Sequence, residues 1–138
     1  MSTDRIGHYQ LLEEVGSGGH AYVWRARDLL TQQEVAIKRP LPGYATNTDY
    51  IDRFHREATI LTGIDHPNVI KILGHCDEEQ GHGINDAHYL ALKFCPNNLD
   101  TLIKKAREDD NQGLPVSEAV RIAGEVTLAL DAVSAKAI

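Results

Sequence analysis

Several features that would assign a chain to a particular class of protein are scarce in this sequence. Only two cysteines occur among 138 residues, Cys76 and Cys95, so we expect no disulfide framework, and a reducing cytoplasm is the default compartment. No apolar run reaches the roughly 18 residues of a membrane span. Residues 1–9 lack the apolar core of a signal peptide. We therefore expect a cytoplasmic chain whose residues make no membrane contact.

Positive charge is scarce as well. The formal net charge is −6, and no basic run is longer than the pair Lys104-Lys105. Because phosphate backbones require a clustered positive field, we expect no nucleic-acid partner. The remaining composition, 42% hydrophobic and 25% charged, is that of a folded globular domain and not of a disordered chain.

Alternation of apolar and polar residues predicts strands in the first part of the chain. The glycines of residues 16–19 mark a turn, and residues 39–48 are predicted as a loop because they are rich in proline and glycine. The predicted strands are Tyr9–Val15, His20–Asp28 and Glu34–Lys38.

From Asp49 onwards apolar residues recur at helical spacing, which predicts an amphipathic helix that ends near Gly63. Two strands, a short helix and a long helix follow, and Ser117 is the predicted N-cap of the long helix. These four elements are predicted at Val69–Leu73, His88–Phe94, Leu99–Arg107 and residues 117–136.

This order of elements predicts an α+β fold. A five-stranded antiparallel sheet with one packed helix precedes two helices of a helical region. We expect a tail at residues 1–8, a sheet domain at residues 9–95, and the incomplete start of a helical domain at residues 96–138. The boundary is placed at Cys95–Asn98, where proline and asparagine interrupt the pattern.

The segment Gly16–Val23 has the pattern G-x-G-x-x-A-x-V. Glycines allow a backbone to approach a phosphate chain closely and to expose N–H groups to it. Dinucleotide-binding folds use similar glycines but continue into a helix, whereas Ala21–Asp28 is a predicted strand. A plain glycine-rich hairpin turn is the structural alternative.

A lysine and a glutamate accompany this loop. Lys38 ends the predicted strand segment Val35–Lys38 (VAIK), from which an ammonium group can reach phosphates if its flexible side chain is held. Glu57 on the predicted helix is a candidate to hold it. Either residue alone is more often a solvated surface charge, so the evidence lies in the combination.

The glycine loop, the VAIK strand, and the segment Arg53–Leu61 (RFHREATIL) followed by HPNVIKILG together resemble the N-terminal lobe of a eukaryotic-type protein kinase domain. The resemblance spans about Tyr9 to Ile138, and the overall similarity is to bacterial-type serine/threonine kinases. It implies a kinase N-lobe with an αC-type helix, followed by the first helices of a truncated C-lobe. The implied activity of the parent protein is phosphoryl transfer from Mg-ATP to a protein hydroxyl.

The resemblance also implies a role for each matching residue. Lys38 would contact the α- and β-phosphates of ATP and pair with Glu57, and these are the implied catalytic residues. Leu92 would be the gatekeeper, and Lys93–Cys95 the hinge that binds the adenine edge. Adenine would lie between the side chains of Val15, Val23 and Ala36. The implied ATP-binding residues are Val15, Gly16, Ser17, Gly18, Gly19, Ala21, Val23, Ala36, Lys38, Leu92, Lys93 and Cys95.

Two departures from the family pattern stand out. Ala21 replaces the third glycine of the loop, which costs little because that position needs no positive φ. The segment Pro96–Leu99 is one residue shorter than usual, so Asn98 is only a candidate for the ribose contact. Leu61 and Ile72 match the two spine positions that this lobe contributes.

The family's catalytic loop and D-F-G motif do not occur within residues 1–138. We expect them, and with them the magnesium ligands, to lie beyond this chain, which would then be a fragment without phosphotransfer activity of its own. The partners of the parent would be ATP and a protein substrate. A pseudokinase or nucleotide-binding scaffold is the alternative. The apolar stripe of the last helix is expected to be exposed.

Histidines and a cysteine between residues 75 and 88 suggest a metal site. The spacing of His75, Cys76, His82 and His88 matches no zinc pattern. A solvated strand connection is therefore favoured, and no metal ligand is predicted. His20, at the tip of the glycine loop, is predicted as an exposed loop residue.

Overall fold

The computed structural model describes residues 4–76 and 88–137 of the chain. Contacts within it divide the chain into two units, one of residues 1–63 with 70–94 and one of residues 64–69 with 95–138. The elements are β1 (Arg5–Ile6), β2 (Tyr9–Ser17), β3 (Ala21–Asp28), β4 (Glu34–Pro40), α1 (Pro42–Ala45), α2 (Thr48–Thr62), β5 (Ile72–Cys76), β6 (Tyr89–Lys93), α3 (Leu99–Asp110) and α4 (Val116–Ala137).

The first unit is built on an antiparallel sheet with the strand order β1-β2-β3-β4-β6-β5. The register places Val23 of β3 opposite Lys38 of β4, and Ala36 of β4 opposite Leu92 of β6. Strand β3, which follows the glycine turn, therefore lies next to β4, which carries Lys38, and β4 lies next to β6. The predicted α+β class with an antiparallel sheet is confirmed, but the sheet has six strands among the described residues where five were predicted.

Two apolar clusters hold this unit together. The first contains Val35 and Ile37 of β4, which are 1% and 0% exposed. Burying an aliphatic side chain of this size contributes about 1.5–3 kcal/mol. The second cluster joins α2 to β5 and β6 through Phe54, Ala58, Ile72 and Leu90, with Tyr50, Leu61 and Leu92 packed against it. The apolar stripe of α2 thus anchors this helix to the sheet.

Strand β1 lies in the segment that the sequence assigns to an N-terminal tail. Arg5 and Ile6 pair with Gln10 and Tyr9, and Ile6 is only 1% exposed. A two-residue strand is too short to show an alternating pattern. The chain reverses at Gly7, whose φ of 55° is accessible to glycine at no steric cost.

The loop prediction for residues 39–48 was wrong in two places. Strand β4 continues to Pro40, which is buried. Helix α1 begins at Pro42 and ends at Ala45. Proline suits the first position of a helix because its missing N–H would have no intrahelical acceptor there. Pro42, which suggested a loop in the sequence, therefore begins a helix.

The last two strands start later than predicted. Strand β5 begins at Ile72 and not at Val69, because the N–H of Val69 closes a turn by donating to the carbonyl of His66 at 3.1 Å. Strand β6 spans Tyr89–Lys93, within the predicted range.

The helix predicted from Asp49 is α2, which starts one residue earlier because the Asn47 side chain caps it by accepting from the Tyr50 N–H at 2.9 Å.

The second unit contains α3 and α4. The Asn98 side chain caps α3 by accepting from the Thr101 N–H at 2.8 Å. The prediction that Ser117 caps α4 was wrong. The helix begins at Val116, and the carbonyl of Pro115 accepts from the Ala119 N–H at 3.0 Å. Pro115 therefore occupies the capping position because its carbonyl makes the first intrahelical bond.

Helix α4 exposes many of its large apolar side chains, as its apolar stripe predicts.

None of the helices in the described ranges is long and apolar enough to cross a membrane. Within the unit, the Asn68 side chain donates to the backbone carbonyl of Glu125 at 3.1 Å, which ties the segment of residues 64–69 to α4. Large apolar side chains of α4 that are more than half exposed are Val116, Val120, Val126, Leu128 and Leu130.

Candidate functional site

The glycine turn joins β2 to β3. It is closed by the Gly18 N–H, which donates to the Ala21 carbonyl at 2.9 Å. The positive-φ glycines of the described residues are Gly7 and Gly113, so the loop glycines are not needed for a left-handed backbone. A Cβ atom added to Gly16 or Gly19 would meet nothing within 4 Å. The missing side chains therefore leave open space above the backbone and are not required by packing within the chain.

A cavity of about 350 Å³ lies beside this turn. It brings together loop residues, the strand residues Val23 and Lys38, and two residues of α2. The backbone of the turn, one ammonium group and one carboxylate thus face the same space. The lining residues are Gly18, Gly19, His20, Ala21, Val23, Lys38, Tyr50 and Glu57.

Lys38 and Glu57 border this cavity from opposite elements. Lys38 is half-buried on β4, and Glu57 is exposed on α2. No ion pair within 4.0 Å joins the two side chains in the part of the chain that the structure describes. The arrangement supplies the two charges but leaves them apart.

The other predicted binding residues lie outside the lining of this cavity. Ala36 is buried opposite Leu92, which is half-buried at the base of the second apolar cluster. Val15 is 47% exposed. The Lys93 N–H donates to the Lys71 carbonyl at 3.0 Å. The remaining predicted residues outside the cavity lining are Gly16, Ser17 and Cys95.

A model of the protein kinase domain family matches residues 9–138, which is nearly the whole chain. The chain belongs to the protein kinase domain family. The family predicted from the glycine loop, Lys38 and Glu57 is therefore confirmed, and ATP binding is typical of that family.

Several serine/threonine kinases are similar to this kinase domain chain. PrkC of Bacillus subtilis (strain 168) is 32% identical over 124 residues, covering 90% of this chain and 18% of PrkC. A probable kinase PknB of Lactococcus lactis subsp. lactis (strain IL1403) is 29% identical over 126 residues, covering 89% and 18%. Kinase ssp1 of Schizosaccharomyces pombe is 29% identical over 133 residues, covering 91% and 19%. The chain spans about a fifth of the length of these relatives.

A solved structure, the apo form of PpkA-294, shares the fold. It superposes with a TM-score of 0.60 at 20% sequence identity, over 80% of this chain and 42% of the other. At this identity the likeness concerns the fold alone. The sheet with its packed helix is therefore the kinase N-lobe arrangement.

Tyr50 lines the cavity, although the sequence pattern did not single it out as a candidate site residue. It was assigned only to the apolar stripe of α2. Burial raises the pKa of its hydroxyl, and the nearby Glu57 and Tyr44 raise it further. The available signal was its spacing, because Tyr50 precedes Glu57 by seven residues and so lies on the same helix face.

Two histidines of the candidate metal group, His75 and His88, lie near His55 of α2. His55 Nε2 lies 2.8 Å from His88 Nδ1, and the ring centroids of His55 and His75 are 6.3 Å apart. Among residues 4–76 and 88–137 no group of three potential ligands is arranged to hold a metal ion. His82 and the side chain of Cys76 lie outside the described part of the chain.

Proposed function

We propose that this chain is the ATP-binding portion of a protein serine/threonine kinase. The observation that carries the proposal is the open space above Gly16 and Gly19 beside a cavity lined by Lys38 and Glu57. A phosphate chain fits such a space because the turn and a lysine line it, and the glycines put no side chain into it. The similarity to serine/threonine kinases supports the choice of hydroxyl acceptor.

Each residue of the proposed site has a separate task. The glycine turn would cover the phosphates, and Lys38 would bind the α- and β-phosphates as a point charge. Glu57 would hold Lys38 after α2 moves toward β4. Val15, Val23, Ala36 and Leu92 would surround the adenine, and the backbone of Lys93–Cys95 would bind its edge. Mg-ATP, when bound, supplies the phosphoryl group and the metal that neutralises it.

The proposal divides the chain into a nucleotide-binding N-lobe, residues 9–95, and the start of a C-lobe, residues 96–138. The H-R-D and D-F-G motifs, which carry the catalytic aspartate and the metal ligands in the family, are not in this sequence. We therefore propose that the 138-residue chain by itself transfers no phosphate, and that the cytoplasm of the parent's cell is the site of action.

The test is a phosphotransfer assay on the longer encoded protein. That protein should contain H-R-D-x-K-x-x-N and D-F-G after Ile138, and it should transfer labelled γ-phosphate to serine or threonine of a protein substrate. Lys38→Ala should abolish the transfer, whereas Lys105→Ala, an exposed lysine of α3, should not. Phosphate incorporation by the purified 138-residue chain would contradict the division proposed here.

The separation of Lys38 from Glu57 favours a second candidate function. A pseudokinase or nucleotide-binding scaffold needs ATP binding but does not need the closed ion pair that an active kinase requires. Under this alternative the longer protein binds ATP, transfers no phosphate to any substrate, and lacks one of the two motifs.

A further inference from the structure

Three aromatic side chains from three different elements meet at the tip of the glycine loop. We name His20, Tyr44 and Tyr50 the tip cluster. The ring of His20 lies 4.7 Å from that of Tyr44 and 5.9 Å from that of Tyr50, and the two tyrosine rings are 5.1 Å apart. Centroid separations of this size are those of favourable aromatic pairs. The exposed loop tip is therefore held by rings from α1 and α2.

Hydrogen bonds fix the same point from two sides. The Tyr50 hydroxyl donates to the backbone carbonyl of His20 at 3.3 Å, and the Leu41 N–H donates to that carbonyl at 2.8 Å. Leu41 in turn accepts from the Tyr44 N–H at 2.8 Å at the start of α1. The loop tip is thus attached to α2 through one side chain, Tyr50, which provides both a ring contact and a hydroxyl.

Tyr50 and Glu57 lie on one face of α2. Seven residues of helix separate them, which is about 10 Å along the axis. Between them Phe54, whose ring is 6.2 Å from that of Tyr50, is 3% exposed in the second apolar cluster. Because a helix moves as a rigid element, a shift of α2 moves Tyr50 and Glu57 together.

We propose that Tyr50 is a positioning residue that couples the tip of the glycine loop to α2, so that lowering the loop and bringing Glu57 toward Lys38 occur together. The assignment of phosphates to the loop rests on the proposed function. The coupling of loop and helix rests on the contacts of the tip cluster alone.

The test measures amide hydrogen exchange in the 138-residue chain without nucleotide. Tyr50→Leu should speed exchange at residues 18–21 by about two- to tenfold, the range expected for losing aromatic pairs. His20→Ala should speed exchange in the first two turns of α2, although the substitution lies in the loop. Tyr50→Phe, which keeps the ring, should restore most of the protection. The control Tyr22→Phe, on β3 outside the cluster, should change neither segment.

A purely structural role predicts a different pattern. If Tyr50 only filled space, Tyr50→Leu would speed exchange throughout α2 and β4 and His20→Ala would leave α2 unchanged, and this result would overturn the proposal. Unchanged exchange at residues 18–21 in Tyr50→Leu would overturn it as well.

Addition of ATP separates this proposal from the proposed function. If the wild-type chain shows the reciprocal exchange effects but no protection by ATP, the coupling is supported and the ATP-binding assignment fails. If ATP protects the loop and α2 equally in wild type and Tyr50→Leu, the ATP-binding assignment is supported and the coupling is wrong.

Discussion

Lys38 and Glu57 border the same cavity but make no ion pair with each other. The two residues come from β4 and α2, and the register of β3 and β4 places Val23 opposite Lys38. The structure therefore places the two predicted residues beside one cavity with their charges unpaired. This relationship has a direct consequence for stability.

Removing the charge of Glu57 should leave the stability of the chain without nucleotide almost unchanged. Because Glu57 is exposed and does not pair with Lys38, Glu57→Gln should alter the free energy of unfolding by less than about 0.5 kcal/mol. On the same helix Phe54→Ala should cost about 3–5 kcal/mol, because Phe54 is buried. Denaturant unfolding of the three proteins checks both values. A cost above about 2 kcal/mol for Glu57→Gln would indicate that the ion pair is already formed.

Ala58 lies on the face of α2 that packs against β5 and β6. It is 0% exposed and packs with Ile72 and Leu90, so a larger side chain has no space. Ala58→Leu should destabilise the chain by about 1–3 kcal/mol through overpacking. The matched control is Arg56→Leu, which adds the same side chain at an exposed position of α2 and should cost less than about 0.5 kcal/mol. Equal thermal midpoints for the two variants would contradict the packing of α2 described above.

Asp28 gives the first unit a defined pH dependence. Burial would raise the pKa of its carboxyl group, but the N–H groups of Leu30 and Thr31, at 2.8 and 3.3 Å, together with the nearby His8 outweigh this effect, and the pKa lies below its ordinary value. A lowered folded-state pKa contributes stability above the unfolded value of about 3.9, and the contribution is lost as the pH falls through the folded value.

Thermal unfolding between about pH 2 and pH 7 tests this linkage. The midpoint of wild type should exceed that of Asp28→Asn above about pH 4, and the difference should close as the pH falls further. A difference that stays constant or widens at low pH would show that the carboxylate charge of Asp28 is not involved.

The sequence contained enough to predict the fold class and most element positions, because alternation along β2, β3 and β4 and the helical stripe of α2 reflect burial on one face. The prediction from sequence failed where a residue's burial or secondary structure does not follow from the periodicity around it. Strand β1 is two residues long, Pro42 begins a helix where proline suggested a loop, and Val69 belongs to a turn although it is apolar.

The candidate site shows a similar division. Local pattern and spacing singled out Lys38 and Glu57, which line one cavity in the structure, whereas Gly16, also singled out, lies outside its lining. The tip cluster was not predicted, because His20 and Tyr50 are 30 residues apart and meet only after α2 packs against the sheet. The separation of Lys38 from Glu57 could not be predicted either, because spacing along the sequence identifies the two residues but does not determine the distance between their charges.

Titration of the 138-residue chain with ATP tests the central claim most directly. Calorimetry should show saturable binding, and Lys38→Ala should weaken it by about ten- to a hundredfold, the loss expected for one charge-assisted contact of roughly 1.5–3 kcal/mol. Lys105→Ala should bind as wild type does. Absence of binding to wild type, or equal affinity in wild type and Lys38→Ala, would contradict the assignment of this cavity to the phosphates of ATP.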